Sequence, residues 1–337
     1  MAEVSLLLVL IVAVALFFDF TNGANDSANA IATIVSTQVL SPRAAVIMAA
    51  VLNLLGAMAG TRVAMTIGGG IVHTDMLTGC QALILAALSG AIAWNLITRH
   101  LGIPSSSSHA LIGGLIGACV THGGWGAVDY HSFAAKVVFP LVISPVAGFV
   151  CGYTLMVALA WISFKAHPRK ASRFFRRAQL VSSALVAANH GLNDAQKTMG
   201  IITLALFLFH KIPAVEVPFW VKVSCALAMG MGTASGGWKI IKTMGHRIFR
   251  LEPIHGFAAE TGASMVIGVA SIMGAPVSTT HTISCSILGV GSSKRFSAVR
   301  WGVAGDMVVA WILTIPASAL MAAGCLCVLK WIGLSGG

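Results

Sequence analysis

The chain has 337 residues, of which 57% are hydrophobic and only 9% charged, with a mean hydropathy of +0.89. A soluble domain carries about 25% charged residues, so this chain has too few to cover a water-facing surface. The net charge of +11 does not describe a nucleic-acid binder, because the basic residues fall between apolar stretches with no basic stripe interleaved with aromatics.

In chain order, Met1 to Phe18 is apolar with only Glu3 charged. It lacks the basic start and the small-residue cleavage site of a secretory signal, so it reads as a first membrane segment. Further apolar stretches predict spans at 44–60, 76–97, 103–120, 134–164, 178–209 with an interruption, 218–233, 256–274, 276–291 and 302–329, after a first at 4–20. A helix needs about 20 residues to cross the hydrocarbon of a bilayer. The seven cysteines (Cys80, Cys119, Cys151, Cys225, Cys285, Cys325, Cys327) sit in apolar surroundings without metal-ligand spacing and read as packing residues.

The longest polar break, Lys165 to Arg177, holds six Lys or Arg and no acid. It predicts a basic cytoplasmic linker at 165–177 between two transmembrane halves, 1–164 and 178–337. With the N-terminus outside, 15 of the 21 basic residues fall on inside loops, as the positive-inside rule expects. Five spans per half make the halves enter the membrane from opposite sides. The expected fold is therefore an all-α polytopic membrane protein, an inverted repeat of two five-span halves with broken or re-entrant helices.

The sequence contains the matching repeat. Asn22-Gly23-Ala24-Asn25-Asp26-Ser27-Ala28-Asn29 corresponds to His190-Gly191-Leu192-Asn193-Asp194-Ala195-Gln196-Lys197, 168 residues later. Pro104-Ser105-Ser106-Ser107-Ser108-His109 corresponds to Pro276-Val277-Ser278-Thr279-Thr280-His281, 172 residues later. Inverted repeats of this kind build secondary transporters, with the site near the midplane where the repeats meet.

Each motif carries its own chemistry. Asn, Gly and Asp favour caps and turns, so both Gly-x-Asn-Asp motifs are expected to unwind the middle of an apolar helix. Asp26 and Asp194 occupy equivalent deep positions, and an ionisable side chain in a span is by default functional; the bland alternative is Asp194 neutralised by Lys197. Asp19, Glu260 and Asp306 are also embedded, although each alone could be a packing group. The hydroxyl runs, Ser105 to Ser108 and Ser278 to Thr280, follow a proline and precede a helix, a start signal. Helix starts with free N–H groups bind oxyanions, while Ser and Thr in membrane helices otherwise bond their own carbonyls or neighbouring helices. His109 and His281 close these runs, and a substrate hydrogen bond, a proton relay and plain packing remain open for them.

These residues resemble the duplicated signature of the inorganic phosphate transporter family, in four matched motifs from about Phe20 to Gly289. The resemblance implies an alternating-access symporter for inorganic phosphate, homodimeric, in the cell's inner membrane. It implies substrate contacts at Asn25, Asp26, Ser105, Ser106, Ser107, Ser108, Asn193, Asp194, Lys197, Ser278, Thr279 and Thr280. Asn25, Asp26, Asn193 and Asp194 would serve the coupling ion, with His109, His281 and Glu260 as relay candidates. No cofactor is implied beyond a coupling H+ or Na+, and a divalent metal travels with phosphate in some such carriers. Lys197 stands where sodium carriers commonly repeat the Asn of position 29, which points to proton coupling and to the bacterial low-affinity carriers.

Rival classes fit less well. Ser107 or Ser108 beside His109 superficially suggests a hydrolase, but there is no Gly-x-Ser-x-Gly elbow, and adjacency rarely makes a dyad. A channel would show filter rings or hydrophobic gates. A carrier of another oxyanion, such as sulfate, and sodium coupling remain the near alternatives.

Overall fold

The computed structural model describes residues 6–68 and 81–334; Cys80 and the start of the 76–97 span lie outside them. The long elements are helices: α1 (Leu6–Ser36), α2 (Pro42–Met58), α3 (Arg62–Gly68), α4 (Ala82–Leu101), α5 (Ser107–Gly123) and α6 (Phe139–Ile162) in the first half. The second half has α7 (Pro168–Leu208), α8 (Phe219–Ser235), α9 (Trp238–Lys242), α10 (Pro253–Met273), α11 (Thr279–Lys294) and α12 (Trp301–Trp331). Five of these segments are long and apolar enough to cross a bilayer: Leu6–Ser36, Ala82–Leu101, Val142–Ile162, Pro253–Met273 and Trp301–Trp331. Large apolar side chains such as Val142, Val146, Ile312 and Leu320 are exposed on the outside, a surface that suits lipid and not water.

Two helices form the centre. α1 and α7 touch each other, and α1 also lies against α4 and α8 while α7 lies against α2 and α10. Glycine permits the close crossings. A Cβ on Gly23 would stand 2.4 Å from the Met229 carbonyl oxygen of α8, and one on Gly191 would stand 2.1 Å from the Asn53 carbonyl oxygen of α2. Small residues let helices approach where lipid supplies no hydrophobic drive between them.

Around this pair stand two helical hairpins, α4–α5 and α10–α11. Their packing is reciprocal: α12, from the second half, covers the first hairpin, and α6, from the first half, covers the second. Each turn is pinned by a cation of the other half. Lys239 Nζ donates to the His100 carbonyl at 2.7 Å, and Arg62 Nη1 donates to the Ile272 carbonyl at 2.7 Å. Both hairpin turns are buried against the middle of α1 and α7, so the spans at 103–120 and 276–291 begin inside the protein, as re-entrant segments do.

Three expectations are corrected. First, α1 and α7 run unbroken through both Gly-x-Asn-Asp motifs. The amide side chains reach across to other helices, Asn25 to the Asn95 carbonyl and Asn193 to Ser271, so they do not compete for their own backbone. Second, the basic run is not a linker loop: from Pro168 onward it forms the first turns of the 41-residue α7. Proline at the first helical position starts a helix readily. Third, Asp306 is exposed on the surface of α12 and does not join Asp19 and Glu260 in the protein interior.

Candidate functional site

The site is built where the two hairpin turns meet α1 and α7. Ser106 and Ser278 are the N-caps of α5 and α11; their hydroxyls accept from the backbone N–H of His109 and His281 at 3.3 and 3.2 Å. That capping is the start signal read in the sequence. It places the Ser107, Thr279 and Thr280 hydroxyls on the acids of the central helices, and the Ser108 hydroxyl against Lys197 and the Val277 carbonyl.

Asp26 is 4% exposed and is held by hydroxyls alone. Ser107 Oγ donates to Oδ2 at 3.1 Å and Thr280 Oγ1 to Oδ1 at 3.1 Å, one from each hairpin. Asp194 is 1% exposed and is held by charge. Lys197 Nζ bonds its Oδ1, His190 Nε2 lies 3.0 Å from Oδ2, and Thr279 Oγ1 donates to Oδ2 at 2.7 Å.

Lys197, itself 2% exposed, also bonds Ser108 Oγ and the Val277 carbonyl, the latter at 3.0 Å. Its ammonium thus sits among a carboxylate, a hydroxyl and a carbonyl oxygen, the donor types that surround a hard cation. Asn29, its counterpart in the first repeat, places Nδ2 at 3.2 Å from Thr279 Oγ1 and 2.9 Å from Thr280 Oγ1. The hydroxyl runs are therefore not an empty anion cage in this conformation; their hydroxyls are spent on the acids and on Lys197.

The remaining candidates divide. Asn25 and Asn193 anchor to α4 and α10 and donate to none of the hydroxyls of the two runs, and Ser105 bonds Thr98 Oγ1 at 2.8 Å within its own hairpin. His109 and His281 stack with ring centroids 4.5 Å apart, and Trp311 stacks on His281 at 3.9 Å. Trp311 Nε1 donates to the Pro104 carbonyl at 2.9 Å, so this stack ties the hairpin tips to each other and to α12. Glu260 lies apart from the centre: it accepts from Thr33 at 2.5 Å, Ser182 at 2.5 Å and Gln179 at 3.0 Å.

Sequence reading passed over His190 and Asn29 as site residues although both stand inside the quoted motifs. It also passed over Asn53, which faces His190 Nδ1 at 3.0 Å and donates to Thr233 at 2.8 Å. A lone Asn within the apolar stretch 44–60 was the available signal, since polar groups in a span are costly.

An all-helical shell that faces lipid outside and buries two acids, a lysine and paired hydroxyl runs inside defines a membrane carrier of small ions. The chain matches the Phosphate transporter family (PHO4) over residues 22–322, and it belongs to that family. It is 49% identical to a probable low-affinity inorganic phosphate transporter of Bacillus subtilis, over 94% of this chain and 96% of that one. A protein of the same description from Rhizobium meliloti is 48% identical over 95% of each chain. Among solved structures, a sodium-dependent phosphate transporter superposes with a TM-score of 0.88 at 26% identity, covering 97% of this chain and 100% of that chain.

Proposed function

We propose that this phosphate transporter family member is a proton-coupled symporter of inorganic phosphate, working by alternating access, and not an enzyme. The observation that carries the coupling ion is Lys197: a tethered ammonium already occupies the oxygen cluster beside Asp194. Asp26, with neutral donors only, is the acid left to take up and release a proton. A buried carboxylate without a cation is costly, so proton binding at Asp26 and the arrival of an anion are naturally linked.

Phosphate would be held by Ser107, Ser108, Thr279 and Thr280, with Lys197 turning from Asp194 towards the anion as a point charge. Both acids are nearly fully buried, so a solute reaches them only when the helices part. Movement of the hairpin tips, which bridge the halves through these same hydroxyls, would expose the site to one side at a time.

The same reading takes residues 1–164 and 178–337 as inverted repeats, supported by the reciprocal packing and the paired Lys239 and Arg62 contacts. It sets the N-terminus outside, the basic start of α7 at the cytoplasmic face of the inner membrane, and a homodimer in the bilayer. The solved sodium-dependent neighbour favours one second reading, coupling to sodium at the Asn29 side.

Labelled phosphate uptake into proteoliposomes, with sodium and pH gradients imposed separately, tests the proposal. Uptake driven by the inward proton gradient, and not competed by sulfate, is expected. Uptake of sulfate in place of phosphate would remove the substrate; uptake needing sodium would remove the coupling ion.

A further inference from the structure

Among the described residues four carboxyl side chains are buried: Asp19, Asp26, Asp194 and Glu260. The function proposed above uses Asp26 and Asp194. Asp19 and Glu260 are both 0% exposed and unused; Asp19 and Thr33, the α1 partner of Glu260 on α10, lie on opposite sides of Asp26 along α1. Asp19, Asn22, Asp26, Asn29, Thr33 and Thr37 recur at intervals of three or four, the spacing of a single helix face. All six are buried, so this is a polar stripe through the protein interior and not a solvated face. Asp19 precedes Asp26 by seven residues and Thr33, the Glu260 donor on α1, follows it by seven. At 1.5 Å per residue each step is about 10 Å.

The two outer acids differ in surroundings. Asp19 has Thr198 and Cys225 as its hydrogen-bonding neighbours, and Asp194 and Lys197 are the charged groups that face it. Both side-chain polar atoms of Asn22, one turn on, are without partners. Glu260 has three donors, from α1 and α7, and Thr37 Oγ1 extends this network by donating to Gln179 Oε1 at 2.8 Å. No charged side chain bonds Glu260 among the described residues. His190, Lys197 and Asp194 are the titratable groups facing Asp26 between them.

The geometry points to a proton route along α1, in which Asp19 and Glu260 are the entry and exit acids on either side of Asp26. The inference rests on the proton-symport reading and on an outside N-terminus. In each step the O–H bond of one carboxyl breaks and one forms at the next acid. The negative charge moves the opposite way, and no electrons are exchanged. Water admitted when the helices part carries the proton over each interval of about 10 Å, since Asn22 and Asn29 are not themselves proton carriers. With the N-terminus outside, Asp19 stands on the entry side of Asp26 and Glu260 on the exit side.

The test uses the full chain in proteoliposomes, with Asp19→Asn and Glu260→Gln, and two readouts for each. One is labelled phosphate uptake driven by a pH gradient; the other is phosphate–phosphate exchange at equal pH, which needs no net proton movement. Each variant is expected to lose gradient-driven uptake by about tenfold or more while keeping at least about half of the exchange, a gap of about fivefold or ~1 kcal/mol between the two processes. Asp19→Glu and Glu260→Asp are expected to recover gradient-driven uptake. Unchanged gradient-driven uptake in both variants would overturn the route. So would parallel loss of both readouts without recovery in the conservative variants, which marks a structural role. If the unsubstituted protein itself ignores the pH gradient, the symport reading has failed, and not the route alone.

Discussion

Asp26 and Asp194 occupy equivalent places in the two repeats and are held in opposite ways. Ser107 and Thr280 offer Asp26 only hydroxyls, whereas Lys197 brings Asp194 a charge, beside the His190 ring nitrogen and the Thr279 hydroxyl. One substitution in the repeat, Lys197 for the Asn of position 29, accounts for most of the contrast. On the proposed reading, the duplicated site is divided into a fixed half, whose counter-ion is part of the chain, and a free half, whose counter-ion comes and goes.

The sharpest way to break that comparison is Lys197→Met. It leaves the buried Asp194 carboxylate with His190 and Thr279 alone, and removing one partner of a buried pair costs about 3–5 kcal/mol. Thermal unfolding of the purified protein in detergent should show a large drop in Tm and uptake should vanish; an unchanged Tm would mean the pair is not what holds this half together.

Packing tests the likeness of the halves and not their difference. Gly191→Ala and Gly23→Ala each force a methyl group against a backbone carbonyl of the neighbouring helix. Each should cost about 1–3 kcal/mol by overpacking. Similar Tm losses for the two support equivalent crossings, and loss at only one would separate them.

Asp26→Asn, by contrast, should cost no more than about 1 kcal/mol in stability. The amide still pairs with Ser107 and Thr280, whose hydroxyls both donate and accept. Its effect should appear in transport, as loss of uptake driven by a pH gradient. A Tm loss as large as that of Lys197→Met would erase the distinction between the free and fixed acids. At the bottom of the scale lies Lys294→Ala, which removes an exposed pairing with Glu252 at 4.0 Å. Double-mutant analysis with Glu252→Ala should find under about 0.5 kcal/mol of coupling.

Much of this was legible in the sequence because the repeat is written twice. Hydrophobic runs announced the helices, and the paired Gly-x-Asn-Asp and Pro-x-Ser-Ser/Thr-Ser/Thr-His elements named Asp26, Asp194, the hydroxyls and Lys197. What misled was local propensity. Asn25 and Asn193 looked like helix breakers, yet their side chains are spent on α4 and α10, and tertiary bonds overrode the tendency to unwind. The basic run looked like a loop because charge is unfavourable in lipid, although a helix can begin in water and continue into the membrane, as α7 does. The Glu260 network was out of reach, since it joins Thr33, Gln179 and Ser182 from distant stretches and no spacing rule links them. The stripe from Asp19 to Thr37 was readable by period, but only burial on every side distinguishes it from a surface face.

The most direct test of the division between a fixed and a free acid is phosphate uptake in sodium-free proteoliposomes. The account predicts uptake that follows an inward proton gradient, collapses with an uncoupler and is indifferent to added sodium. Uptake that requires sodium and ignores the uncoupler would contradict it, and would mean that Lys197 does not stand in for a mobile cation.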